Sequence, residues 1–531
     1  MRRAAILLAG LLATTAQARE VVTASAPDNL AVTIYRDPER APDGRINPDW
    51  PEGFAMISET RTVTLPPGES TIRFEGVAEG MASVTAIITG LPGGVIEKNR
   101  NAQLLSPAAL VDGTLGNRVT VTRTNPATGR ETSESAVVRT RADGGIVLQT
   151  REGFEAVRCA GLPERLVFER VPAGLSAQPV FSVDTNDPRG GTYRVTLTYL
   201  SAGFDWQALH FAPFADDGGR GSERTLRLLS WLTLANDNGQ SFPDAELMTV
   251  AGKLNVETDY SAVKDPPQAR GIQLSCYPIG STAAGSPYPQ PPPPPPVPAP
   301  MAADAIMVTA MRRNEAMAAP AAIAMIAREE QLGDLKLFRV PERVTVASKG
   351  LKQVAFLDRK AVKGTLLYRY DCEPGTFAED DARALAIVLQ TRNDERHGLG
   401  GALPMGGMTL FEPSDAGEQL VGEAPMRDYA VGQEIELPFA SSAQVRGHCA
   451  VQGEAPADES AWIPMQAALT NANPEPVKAR LLLGPAAQWE LQKRPVGTRI
   501  KDGQLTIEFA IPANATYRLA WKIRPAGQVR R

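Results

Sequence analysis

YRVTLTYLSAGFDWQALHF, residues 193–211, is the stretch on which the fold class turns. In its first half Tyr193, Val195, Leu197 and Tyr199 alternate with Arg194, Thr196 and Thr198. A period of two makes one face apolar and one polar, the signature of a half-buried strand. Gly203 then interrupts the run, so the stretch reads as a strand, a corner and a second strand. Asp205 and His210 sit five residues apart on that second strand. An odd spacing on extended chain points them to opposite faces, which argues against a shared catalytic role. Trp206 is expected in the core with its indole donating one hydrogen bond, and Asp205 is expected to cap the turn.

The same alternation recurs along the chain. Leu505, Ile507 and Phe509 alternate with Thr506 and Glu508; Tyr517, Leu519, Trp521 and Ile523 alternate with Arg518, Ala520 and Lys522. With the turn-rich IPANAT between them, these runs predict a terminal hairpin of a β-sandwich. Helical periodicity is nearly absent. The class is therefore all-β: tandem sandwich-like domains, a small barrel-like unit and a disordered Pro-rich insertion. The expected boundaries are a signal peptide at 1–18, an N-terminal β-domain at 19–110 and a small barrel-like or meander unit at 111–179. A C-terminal β-region follows in two halves, 180–277 and 331–531, separated by a Pro/Ala-rich linker at 278–330. Proline has no amide donor for a sheet interior, so YPQPPPPPPVPAP (288–300) reads as a polyproline rod of about 40 Å. A short helix is expected near 321–328.

The chain begins MRRAAILLAGLLATTAQARE. A basic start, a short apolar run and Ala16-Gln17-Ala18 make a secretory signal peptide cut after Ala18. No later stretch is long and apolar enough to span a bilayer. The 55 basic and 60 acidic side chains leave a net charge of −5. That balance argues against nucleic acid, which requires a concentrated basic face. An exported chain meets an oxidising compartment, and four cysteines allow three pairings. The expected pairing is Cys159 with Cys276 and Cys372 with Cys449, one bridge on each side of the linker. No Cys-x-x-Cys or His-x-x-x-His spacing points to zinc, and no metal or cofactor is expected.

Other motifs fall short of chemistry. His397 lies in a glycine-rich stretch without the phosphate-loop lysine. His448 adjoins Cys449, whose thiol is expected in a disulfide. Ser261–Lys264 reads SAVK, without the companion motifs of a Ser-x-x-Lys nucleophile. DTNDPRGG (184–191) places Pro188 where a calcium loop needs its third acid. NDNG (236–239) reads as a hairpin turn.

YLSAGFDWQALHF, then WLTLANDNGQSFPDAEL (231–247), resemble strand-and-turn motifs of the mucoidy-inhibitor-A-like family of bacterial envelope proteins, with Asp205, Trp206, Trp231 and Asn236 as motif residues of structural type. LFRVPERVTVASKGLKQVAFL (337–357) and, at the front, VTLPPGESTIRFEGVAEGM (63–81) are similar to other parts of that family. The resemblance implies two β-rich domains with a proline-rich interruption inside the second, and no catalytic residues. The chain departs from the family in lacking a long charged helical region between the domains. The expected function is an exported, non-enzymatic binding or assembly protein of the cell envelope with an envelope protein as partner. The alternatives are a periplasmic hydrolase with a site assembled from loops, and an outer-surface adhesive protein.

Overall fold

A computed structural model describes residues 19–101, 104–125, 128–141, 146–156, 165–172, 175–215, 222–254, 325–372, 382–453, 461–492 and 494–526. The chain enters through β1 (Glu20–Thr23), β2 (Asn29–Tyr35), β3 (Phe54–Leu65), β4 (Gly68–Glu75), β5 (Met81–Thr89) and β6 (Glu97–Asn101). The helix α1 (Pro107–Gly113) follows, its first turn closed by Ser106, whose hydroxyl accepts from the Ala109 amide. Next come β7 (Arg118–Thr124), β8 (Glu131–Val138), β9 (Val147–Gln149), β10 (Phe154–Ala156) and β11 (Arg165–Val167). Then follow β12 (Val180–Asp187), β13 (Gly191–Ala202), β14 (Phe204–Pro213), β15 (Glu223–Asn236) and β16 (Phe242–Ala251). The later strands begin with β17 (Arg328–Leu332), β18 (Leu335–Arg339), β19 (Val344–Val346), β20 (Gly350–Asp371) and β21 (Arg383–Arg392). They continue with β22 (Gly406–Ser414), β23 (Gly417–Met426), β24 (Glu434–Val451), β25 (Ile463–Asn471) and β26 (Val477–Pro485). The last four are β27 (Trp489–Gln492), β28 (Thr498–Lys501), β29 (Gln504–Ile511) and β30 (Ala515–Pro525).

The protein is all-β, and its strands form several sheets without a closed barrel. β7–β11 form an open antiparallel meander in the order β10-β9-β8-β7-β11, with a core of its own around Val121, Val138 and Leu148. The strands of 19–110 do not pair only among themselves. β2 lies parallel to β16, β3 pairs with β13, and β4 pairs with β12, so the pairings cross the expected boundaries at 110 and 180. Most of the linker lies outside the described residues. Its last part does not form the expected helix: Ile326 bridges Ala355, and Arg328 already begins β17.

Two modules share one pairing scheme. In the first, β2 pairs with β3, β3 with β13, β14 with β15, β15 with β20, and β16 with both β2 and β18. In the second, β20 pairs with β21, β21 with β24, β24 with β25, β25 with β30, and β26 with both β20 and β29. In each module one of these pairs is parallel, β16 with β2 and β26 with β20. The hairpin β17–β18 answers to β28–β29. β20, 22 residues long, serves both: its first part closes the first module and its end opens the second.

An asparagine corner repeats with the scheme. LANDNGQ (234–240) leaves β15, and LTNANPE (469–475) leaves β25. Asn236 is buried; its amide donates to Gln240 O (3.0 Å) and Ala347 O (2.9 Å), and its side-chain oxygen accepts from the Asn238 amide (3.0 Å). Asn471 donates to Glu475 O (2.8 Å) and Pro512 O (3.0 Å) and accepts from the Asn473 amide (2.9 Å). Lys349 and Asn514, both at positive φ, donate their amides to Asn238 O (3.3 Å) and Asn473 O (3.2 Å).

Two connections expected as hairpin turns instead join strands that do not pair with each other. NDNG joins β15 to β16, which belong to different sheets. IPANAT joins β29 to β30, which do not pair; β30 pairs with β25 and β27. β3 and β4, separated only by Pro66 and Pro67, also lie in different sheets. Alternation decides which face is buried, not which strand is the neighbour.

Candidate functional site

Gly203 (φ 80°) separates β13 from β14 and passes the chain from one sheet to another. A Cβ there would lie 2.7 Å from the side-chain Nδ2 of Asn238, so this corner needs glycine for space and for conformation. Beyond it β14 buries Phe204, Trp206, Ala208 and His210 on one face, with Asp205 on the other, as the spacing predicts. Trp206 is fully buried, and its indole donates to Val250 O at 3.1 Å.

His210 is also buried. Its Nε2 lies 3.0 Å from Pro404 O and its Nδ1 2.8 Å from Ser230 Oγ. A carbonyl only accepts, so Nε2 carries the proton and Nδ1 accepts from the hydroxyl. Burial pulls its pKa down to about 4, so the ring is neutral at pH 7. It is a core histidine, edge-on to Phe356.

Asp205 fastens a distant loop rather than capping the turn at Gly203. Its Oδ1 accepts from the Trp206 amide (2.8 Å) and the Asp37 amide (3.2 Å), and its Oδ2 pairs with Arg40. Arg40 donates in turn to Trp206 O at 2.9 Å. Gln207 Oε1 accepts from the Ile46 amide (2.8 Å), and Arg36 grips Asp428 with both guanidinium nitrogens. Residues 36–53 thus form a strap over the outer side of β14. Burial raises the Asp205 pKa against the pull of Arg40.

The remaining candidates are held apart. His397 Nδ1 lies 2.7 Å from Asp394 Oδ1, and this bond holds the Asp394 carboxyl below its ordinary range. The nearby glycines are tied down by buried Asn393, which accepts from the Gly400 amide (3.1 Å) and donates to Gly401 O (2.8 Å). Cys449 is bridged to Cys372, with Cα atoms 5.9 Å apart, so His448 has no thiolate to assist. Cys159, Cys276, Ser261 and Lys264 lie outside the described residues. In the 184–191 stretch, Asp184 accepts from Thr71 Oγ1 (2.6 Å) and pairs with Arg19, while Asp187 accepts from Tyr193 and the Arg189 amide. Those carboxylates serve internal bonds. Among the described residues no three His, Cys, Asp or Glu side chains converge as metal ligands.

A concavity of about 750 Å³ crosses four neighbouring strands, β15, β20, β21 and β24. Opposed residues make its rows: Glu223 faces Thr365, and Thr365 faces Gln390; Thr225 faces Lys363; Arg392 faces Glu434. The Gln390 amide donates to Glu434 (2.7 Å) and Glu436 (2.8 Å). Burial works against ionisation of Glu436, but Arg480 and Lys501 hold its pKa below the ordinary value. Arg480, itself buried, also pairs with Glu508, so the groove rests on an ionic cluster that joins β24 to β26 and β29. A smaller cleft of about 460 Å³ lies under the strap, floored by Leu209, Gly407 and Pro425. Sequence reasoning missed both, because neither is carried by a motif. No family model matches the chain, and no curated protein is significantly similar to it.

Proposed function

We propose that this is an exported, non-enzymatic binding or assembly protein of the bacterial cell envelope, and that the groove across β15, β20, β21 and β24 receives its ligand. The observation that carries this reading is the groove itself. Its donors and acceptors stand on four strands locked in ladders, so little order is lost on binding. Export is supported by the signal-like residues 1–18 and by the Cys372–Cys449 bridge, which suits an oxidising compartment. Among the described residues no helix is long and apolar enough to cross a membrane. The envelope assignment also draws on the family resemblance of 193–211 and 231–247.

In-cell cross-linking with mass spectrometry tests the reading, comparing the native chain with a Lys363→Glu/Arg392→Glu variant. Both side chains are exposed, so the fold should survive the change. Loss of specific envelope partners from the variant is the expected result. Equal capture by both chains would remove the groove from the proposal. N-terminal sequencing of the envelope fraction should begin at Arg19; a chain retained in the cytoplasm would end the export reading.

A further inference from the structure

The outer face of β15, β14, β22 and β23 carries large apolar side chains, most of them half-buried beside the strap. Trp231 opposes Leu209 and Leu229 opposes Phe211. Phe411 opposes Leu420, and the Phe211 and Phe411 rings stack at 6.4 Å. Leu420 remains 60% exposed. This face ends at β23, which among the described strands pairs only with β22. Such an edge offers unpaired peptide donors and acceptors to an incoming strand.

Charge selects what fits there. The hairpin at 406–426 holds Glu412, Asp415, Glu418 and Glu423 and no lysine or arginine. Glu412 meets Arg224 at 3.9 Å, the Arg227 charge reaches Glu418, and Glu423 meets exposed Arg45 at 3.2 Å, while Asp415 has no salt-bridge partner among the described residues. Glu418, Leu420 and Glu423 lie on the outer face, because they oppose Pro413, Phe411 and Thr409 across a bulge. A second copy pairing antiparallel about Leu420 and Val421 would set Glu418 against Glu423, a like-charge contact that disfavours self-association. We infer that β23 is a docking edge for an extended segment of a partner protein whose alternate residues run basic, apolar, basic. The basic residues oppose Glu418 and Glu423, and the apolar one covers Leu420. This edge lies outside the groove proposed above and does not depend on it.

The test is fluorescence anisotropy of the full chain with a labelled synthetic peptide, Gly-Thr-Arg-Thr-Leu-Thr-Arg-Thr-Gly, and with its Arg-to-Glu counterpart. The native chain should bind the basic peptide and protect amides of 417–426 from exchange. Glu418→Lys/Glu423→Lys should weaken that binding about tenfold or more and let the acidic peptide bind instead. The groove variant Lys363→Glu/Arg392→Glu should bind the basic peptide as the native chain does, which separates failure here from failure of the groove. No binding by the native chain, equal binding of both peptides, or a charge-reversed hairpin with unchanged affinity would overturn the inference. So would a dimer in sedimentation that the peptide does not dissociate, since a second copy would then hold the edge.

Discussion

The first module fastens its kinked strand with an ion pair, and the second fastens its own with a disulfide. In the first, the strap that leaves β2 is tied to β14 through Arg40 and Asp205, both almost fully buried. In the second, Cys372, just past β20, is bridged to Cys449 on β24. The pairing scheme is common, and so is the asparagine corner. What differs is the chemistry of the fastening, and with it the response to charge, acid and reductant. Burial raises the Asp205 pKa even with Arg40 beside it, so the first fastening carries a desolvation cost that a covalent bridge does not.

The largest effect should come from breaking the ion pair on one side. Asp205→Ala strands the Arg40 guanidinium and frees two backbone amides, and should cost about 3–5 kcal/mol in denaturant unfolding. Arg40→Met combined with Asp205→Leu should cost less than Asp205→Ala alone. If the double change costs as much or more, the strap depends on the charges themselves and not on the burial of a matched pair.

Acid should separate the modules next. The folded His210 pKa lies near 4 against 6.5 in an unfolded chain, so the unfolded state binds the extra proton. Stability of the first module is therefore complete above about pH 6.5 and falls as pH drops towards 4, by roughly 3 kcal/mol. The second module should hold through that window. Its carboxylates Glu436 and Glu508 have lowered pKa values, overcoming burial through Arg480, and lose their contribution only as pH falls below the ordinary glutamate range. Domain-resolved hydrogen exchange between pH 7 and pH 4 checks the order; earlier loss of β25 and β26 protection would reverse it.

Removing the disulfide with Cys372→Ala/Cys449→Ala should cost about 2–4 kcal/mol and raise exchange in β24–β26 more than in β13–β16. Uniform loosening of both modules would mean that shared β20 transmits the change. The smallest effect should be the corner. Asn236→Ala and Asn471→Ala each leave buried carbonyls unpaired, at about 2 kcal/mol apiece. The equivalence of the corners predicts like costs that add in the double variant; a severalfold difference between them would confine the likeness to topology.

The strands were legible residue by residue. Alternation at Tyr193–Tyr199 and at Tyr517–Ile523 places β13 and β30, and the odd spacing of Asp205 and His210 puts them on opposite faces. The Cys372–Cys449 bridge is the pairing expected for the two cysteines beyond the linker, one of the three that four cysteines allow. The partners of those strands were not legible. IPANAT and NDNG have the composition of hairpin turns, yet neither joins paired strands; at each an asparagine side chain bonds a carbonyl far along the chain, Asn236 to Ala347 O and Asn471 to Pro512 O. The candidate groove has no motif at all: Glu223, Lys363, Gln390 and Glu434 come from four segments that only the sheet brings together.

By itself the sequence determined that the chain is built of strands, where they lie, and which side of each faces a core, since a period of two is a local property of extended backbone. The tertiary structure alone decided that β2 runs beside β16, that β20 belongs to two modules, and that the asparagine corners match. The physical reason is that ladder hydrogen bonds join backbone to backbone and are blind to residue type, so neighbours are chosen by how apolar faces fit together across layers.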